Sequence, residues 1–139
     1  MEKPEIQGIL EVGVYVKDIS QSIKFYQDLF DFSILKSDGR FAALDVKGKQ
    51  VLLLFKYGGF SEPIKIPGGI LPGHDSTGTS HLSFSIRAES INEWTKWLSE
   101  KNIEIESRIT WEKGGQSLYF RDLDGNLLEL SSPGIWDTF

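Results

Sequence analysis

The sequence predicts an α+β fold: two βαβββ modules forming a curved, mostly antiparallel sheet around a cavity. Three observations predict it. The order strand, helix, three strands occurs twice along the 139 residues. Each helical stretch carries one apolar stripe, enough to cover one face of a sheet but not both. The strand positions left uncovered hold Glu11, Gly13, Tyr15, His81, Ser83, Ser85, Ser117, Tyr119, Arg121 and Glu129. That set is polar where a face packed against helices is apolar, so it lines a cavity rather than a core.

Alternation opens at "ILEVGVYV", residues 9–16, with Val12, Val14 and Val16 on one side and Glu11, Gly13 and Tyr15 on the other. "DISQSIKFYQDLFDF" follows with Ile19, Ile23, Tyr26 and Phe30 at helical spacing, and Ser20 as the expected N-cap. Three short apolar runs complete the first module: "FSIL", "RFAALDV" and "QVLLLFKY", separated at Gly39 and Gly48. The second module opens at "SHLSFSI", where Leu82, Phe84 and Ile86 alternate with His81, Ser83 and Ser85. In "SINEWTKWL", Ser90 and Glu93 have the spacing of a capping box ahead of Ile91, Trp94 and Leu98. "IEIESRIT", "QSLYFRD" and "NLLELSS" supply three more strands. Module one spans about 8–57, a connecting loop 58–79, module two about 80–133 and a tail 134–139. The connection, with six glycines and three prolines, is too irregular for an element. It is either a lid beside the cavity or a packed crossover. The repeat extends to residues: "DVKG" at 45–48 matches "DLDG" at 122–125, and Glu11 matches His81.

Composition narrows the function. Net charge is −5, and the basic residues form no run, which argues against nucleic-acid and anionic-membrane partners. There is no cysteine, which excludes disulfides, thiolate metal sites and cysteine nucleophiles. No apolar leader and no stretch of 18 apolar residues occurs, so a cytoplasmic location is expected.

The double βαβββ order, "VGVYVKDISQSIKFYQDLF", "GTSHLSFSI" and above all "YFRDLDGNLLEL" resemble the vicinal oxygen chelate superfamily. That superfamily includes glyoxalase I, extradiol dioxygenases, fosfomycin-resistance enzymes and bleomycin-resistance proteins. The resemblance covers about 8–133. It implies that Glu11, His81 and Glu129 ligate a metal, with an optional fourth position at Leu52, counted from the Asp-x-x-Gly anchors. Leucine supplies no ligand. Glu11 also stands where the superfamily commonly has His. The extradiol histidine is absent, its places being Thr110, Trp111 and Glu112, and Leu123 replaces the usual proline of the turn.

Residue chemistry supports the same set. A carboxylate facing a cavity is desolvated unless something neutralises it, and two facing carboxylates repel. A divalent cation removes both penalties and gives His81 a role as a neutral nitrogen ligand. Two carboxylates and one imidazole suit Fe²⁺, Mn²⁺, Ni²⁺ or Zn²⁺. Three protein ligands leave open positions, as in catalytic sites. Tyr119 is either a hydrogen-bonding or acid group for substrate or a packed aromatic. Glu129 is both ligand and candidate catalytic group. His74, in "LPGHDSTG", is a candidate proton shuttle at the cavity mouth, or an exposed loop histidine. Arg121 reads better as a surface ion pair than as an anion site.

Two functions follow. The first is a divalent-metal-dependent enzyme acting on a small substrate with vicinal oxygens, of isomerase, lyase or dioxygenase type. The second is a binding module without catalysis, like the bleomycin-resistance proteins, with Tyr15, Phe60, Trp111, Tyr119 and Trp136 lining a cleft. Small molecules are the expected ligands and a homodimer the expected assembly.

Overall fold

A computed structural model describes residues 1–139. The chain forms two compact units, Met1–Thr77 and Gly78–Phe139. In the first, strand β1 (Glu11–Val16), helix α1 (Ile19–Phe30) and strands β2 (Ser33–Ser37), β3 (Phe41–Val46) and β4 (Gln50–Lys56) build a four-stranded sheet of order β1-β4-β3-β2. A small hairpin follows, β5 (Ile64–Ile66) paired with β6 (Gly69–Leu71). In the second unit, β7 (His81–Ser85), helix α2 (Ile91–Glu100), β8 (Ser107–Thr110), β9 (Gln116–Arg121) and β10 (Leu127–Ser131) give the order β7-β10-β9-β8. The two sheets therefore share one topology. In each, the first and last strands pair in parallel and the other pairs are antiparallel.

Alternation decides which face each strand buries. In the first unit Val14, Val16, Ala42, Leu44, Leu52 and Leu54 are buried, together with Ile19, Tyr26 and Leu29 of α1. In the second, Leu118, Phe120, Leu128 and Leu130 are buried, as is Leu98 of α2. Fully burying each of the larger side chains contributes about 1.5–3 kcal/mol. The opposite faces are left to the candidate functional residues.

Helix starts differ from expectation. Asp18, not Ser20, is the N-cap of α1: its backbone is extended and its Oδ1 accepts the Gln21 N–H at 3.0 Å. The helix begins two residues earlier than Ser20 would place it, because Ile19 belongs to its buried stripe. At α2 the capping box is absent. A 3₁₀ turn, Ala88–Ser90, runs into the helix and leaves Ser90 in helical backbone geometry. Its hydroxyl donates back to the Arg87 carbonyl at 2.8 Å instead of accepting an N–H ahead.

The connecting segment also contains structure where none was expected. Its glycines and prolines bracket the β5-β6 hairpin rather than abolish it. Phe60 is buried, His74 N–H donates to the Phe60 carbonyl at 2.6 Å, and Gly58 N–H to Asp75 Oδ1 at 3.3 Å. Gly73 is needed there, because a Cβ would lie 2.5 Å from the Ser61 carbonyl oxygen. No helix is long and apolar enough to cross a membrane.

Candidate metal centre

The second unit holds the ionisable core of the site. Register places His81 opposite Leu127, Ser83 opposite Glu129 and Ser85 opposite Ser131 on the parallel pair. It places Glu129 opposite Tyr119, Ser131 opposite Ser117 and Leu127 opposite Arg121 on the antiparallel pair. Side chains of directly paired residues share a face, so His81, Ser83, Ser117, Tyr119, Glu129 and Ser131 converge on the one not covered by apolar core.

Glu129 is 7% exposed and sits between buried Leu128 and Leu130. The interruption of "NLLELSS" by an acid is therefore a buried carboxylate, not a solvated one. Its Oε2 accepts the hydroxyls of Ser117 at 2.6 Å and Ser131 at 2.5 Å. Its Oε1 lies 3.2 Å from His81 Nε2. The other imidazole nitrogen, Nδ1, is 2.9 Å from the Leu127 carbonyl. A carbonyl only accepts, so Nδ1 carries the proton and donates. In neutral histidine this leaves the Nε2 lone pair aimed at a carboxylate oxygen. Two acceptors facing each other need a positive charge between or beside them: a proton on Nε2, or a cation bound by both. The His81 side chain is 49% exposed, so the outer side of the pair is open to arriving species. This donor set, one imidazole nitrogen and one carboxylate oxygen with the second ring nitrogen anchored to backbone carbonyl, fits a divalent metal.

Tyr119 stacks near His81, with ring centroids 6.3 Å apart. Burial pushes its hydroxyl above the ordinary phenol range, and the Glu129 carboxylate adds to the rise. It therefore stays protonated through neutral pH and can donate to an oxygen. Arg121 forms a forked ion pair with Glu106, Nε to Oε2 at 2.7 Å and Nη2 to Oε1 at 3.3 Å, and its Nη1 donates to the Gly125 carbonyl. That pair holds the Glu106 carboxyl below its usual range.

Glu11 lies in the first unit, exposed, at the start of β1 and opposite Val51. No three His, Cys, Asp or Glu side chains gather within either unit. Gly13 pairs with Leu53, and Tyr15 with Phe55. Set beside the second unit, Leu53 holds the position of Glu129. The anchor count had given Leu52, but Leu52 is 1% exposed in the core on the other face. The reason is that the two Asp-x-x-Gly anchors are not equivalent. Asp45 pairs within the sheet and caps its own turn through Gly48 N–H, whereas Asp122 lies one residue beyond the paired Arg121 and accepts from Asp124 and Asn126 N–H.

His74 is neither an exposed loop residue nor isolated. Its Nδ1 is 2.5 Å from the Tyr15 hydroxyl, and its ring stacks on Phe60 at 5.3 Å and meets Phe55 edge-on at 4.5 Å. Burial raises the Tyr15 hydroxyl, and nearby Asp75 adds to the rise. Sequence reasoning passed over Ser131 and read Trp111 only as a cleft-lining aromatic, whereas its indole donates to Ser117 Oγ at 2.8 Å. Ser131 was within reach, two residues after Glu129 on the same face by parity. Trp111 lies outside the strands, and no sequence signal announces its bond.

The family model of the Glyoxalase/Bleomycin resistance protein/Dioxygenase superfamily matches residues 8–130. The chain belongs to that family, also known as the vicinal oxygen chelate superfamily. Among curated relatives it is 31% identical to the metallothiol transferase FosB of Staphylococcus saprophyticus, over 95% of this chain and 81% of that one. It is 26% identical to the fosfomycin resistance protein FosX of Listeria innocua, over 90% and 89%. Among solved structures it resembles lactoylglutathione lyase from Agrobacterium tumefaciens, with a TM-score of 0.85, 28% identity and coverage of 97% and 99%.

Proposed function

We propose that this protein is a divalent-metal-dependent enzyme that activates an oxygen of a small electrophilic substrate for reaction with a thiol. The observation that carries the reading is the approach of His81 Nε2 to the buried Glu129 Oε1 at 3.2 Å, with the imidazole half exposed. His81 and Glu129 would hold the metal, leaving its other positions for further ligands and substrate. The bound cation would serve as a Lewis acid toward a substrate oxygen. Leu127 fixes the histidine tautomer by accepting from Nδ1, and Ser117 and Ser131 fix the carboxylate. Tyr119, kept protonated, donates a hydrogen bond or a proton to the developing negative oxygen. The names of the relatives support thiol chemistry, as metallothiol transferase and lactoylglutathione lyase both involve a thiol compound.

The test is an activity panel with Mn²⁺-, Zn²⁺- and Ni²⁺-loaded protein, pairing low-molecular-weight thiols with a phosphonate epoxide and with 2-oxoaldehydes. Metal-dependent adduct formation or isomerisation that disappears in His81→Ala is the expected result. Metal-loaded protein inert toward every pair would refute the catalytic reading.

A second reading draws on the first unit. Tyr15, Phe55, Phe60 and His74 form a continuous aromatic cluster, as a drug-sequestering module would need. Metal-independent binding of a planar cation, with no turnover, is the outcome that favours it.

A further inference from the structure

The hydroxyls around Glu129 have only one consistent set of directions. The carboxylate donates nothing, so Ser117 and Ser131 each commit their single proton to Oε2. Ser117 Oγ is then free only to accept, and it takes the Trp111 indole N–H at 2.8 Å, a group that can only donate. Ser131 Oγ likewise only accepts, which makes Ser83 the donor across their 2.6 Å contact. Two chains of donors, Trp111 to Ser117 and Ser83 to Ser131, thus end on the same oxygen. No buried side-chain polar atom in the protein lacks a partner. Oε1 lies 3.2 Å from His81 Nε2, and the Tyr119 hydroxyl also hydrogen-bonds this carboxylate.

We propose that Ser117 and Ser131, directed by Trp111 and Ser83, are positioning residues that cap Oε2 and present Glu129 to the metal through Oε1 alone. This rests on the metal reading above. One-oxygen ligation would keep open a coordination position that a two-oxygen carboxylate would fill. The hydroxyls also spread the carboxylate's negative charge, which tunes how strongly it competes with substrate oxygen. The network explains why small hydroxylic residues surround an acid on a strand otherwise built of leucine.

The experiment is X-ray absorption on Zn²⁺-loaded protein, counting oxygen neighbours at about 2.0–2.2 Å, the range for carboxylate ligands. Metal affinity is measured alongside by competition with a chromophoric chelator. The Ser117→Ala/Ser131→Ala double variant frees Oε2, and one additional oxygen neighbour is expected relative to wild type. Ser131→Thr keeps the hydroxyl and is expected to keep the wild-type neighbour count, a distinction a purely structural role would not make. Single loss of either hydroxyl is expected to weaken metal binding about 10-fold, the lower end for outer partners of a ligand. A double variant with unchanged neighbour count and affinity overturns this inference alone. A double variant that loses the metal supports it if Ser131→Thr binds normally, and overturns it if Ser131→Thr fails equally, since the defect is then packing. Wild type that binds no Zn²⁺ overturns both this inference and the reading beneath it.

Discussion

The two sheets have the same strand order and matching registers, yet their uncovered faces have diverged. Where the second unit has His81, Ser83 and Ser85 on its first strand, the first has Glu11, Gly13 and Tyr15. Where the second has Ser117 opposite Ser131, the first has Phe41 opposite Phe55. Where the second has Glu129 opposite Tyr119, the first has Leu53 opposite Ala43. One copy of the frame is a hydrogen-bonded acid with an imidazole beside it. The other is an aromatic surface closed by Phe60 and His74. The buried faces stayed alike because core packing constrains them in both units. The uncovered faces were free to specialise, one toward holding charge and the other toward holding apolar or planar groups.

Perturbing the aromatic side most strongly means removing its keystone. Phe60→Ala empties a buried site touching Phe41, Phe55 and His74. A loss of about 3–4 kcal/mol by denaturant unfolding is expected, in the range for buried Phe→Ala. Leu53→Glu asks whether the two copies are interchangeable. The new acid has Ala43 and Gly13 as register neighbours, with none of the serines that serve Glu129. A loss of about 2 kcal/mol is expected from an acid without hydrogen-bond partners. Gly13→Ala is smaller. Its Cβ would meet Phe55 Cε2 at 2.6 Å, and the ring is hemmed in by Tyr15, Phe60 and His74. Overpacking there is expected to cost about 1 kcal/mol, read as a shift in denaturation midpoint.

The smallest effect is electrostatic. Asp75 helps keep the Tyr15 hydroxyl raised. Asp75→Asn is expected to move that titration down, toward the ordinary value of about 10, in an ultraviolet tyrosinate titration. The sign for stability follows. A phenol raised in the folded state contributes fully below its unfolded value and loses that contribution as pH rises through the folded one. Alkaline unfolding is therefore the side of the pH profile on which Tyr15 and Tyr119 act.

The two faces of each sheet were legible in the sequence, for identifiable reasons, whereas the contrast between the two uncovered faces was not. Period-two alternation in "EVGVYV" and "HLSFS" marks two faces, and the acid within "LLEL" marks a position that burial alone does not explain. The helices were legible through their apolar stripes, but their starts were not, because Asp18 and Ser20 are both good caps and only the chain's path selects between them. Ser90 misled because a 3₁₀ turn ahead of α2 redirected its hydroxyl. The Leu52 assignment slipped by one residue because matching Asp-x-x-Gly letters occupy different places in two turns, and pairing register, not letter matching, decides a strand face. The β5-β6 hairpin hid behind glycine and proline, which punctuate short strands as readily as they prevent them. The direction of each hydroxyl around Glu129 is set by neighbours distant in sequence, Trp111 and Ser83 among them, and no local pattern encodes it.

His81 and Glu129 are proposed as the core of a metal centre. The most direct test of this proposal is elemental analysis of protein purified without chelators, wild type beside Glu129→Ala. About one divalent transition metal per chain in wild type is expected, with none in the variant and a lower thermal midpoint once the ion is gone. Equal metal content in the two proteins, or none in either after incubation with Mn²⁺, Zn²⁺ and Ni²⁺, contradicts it.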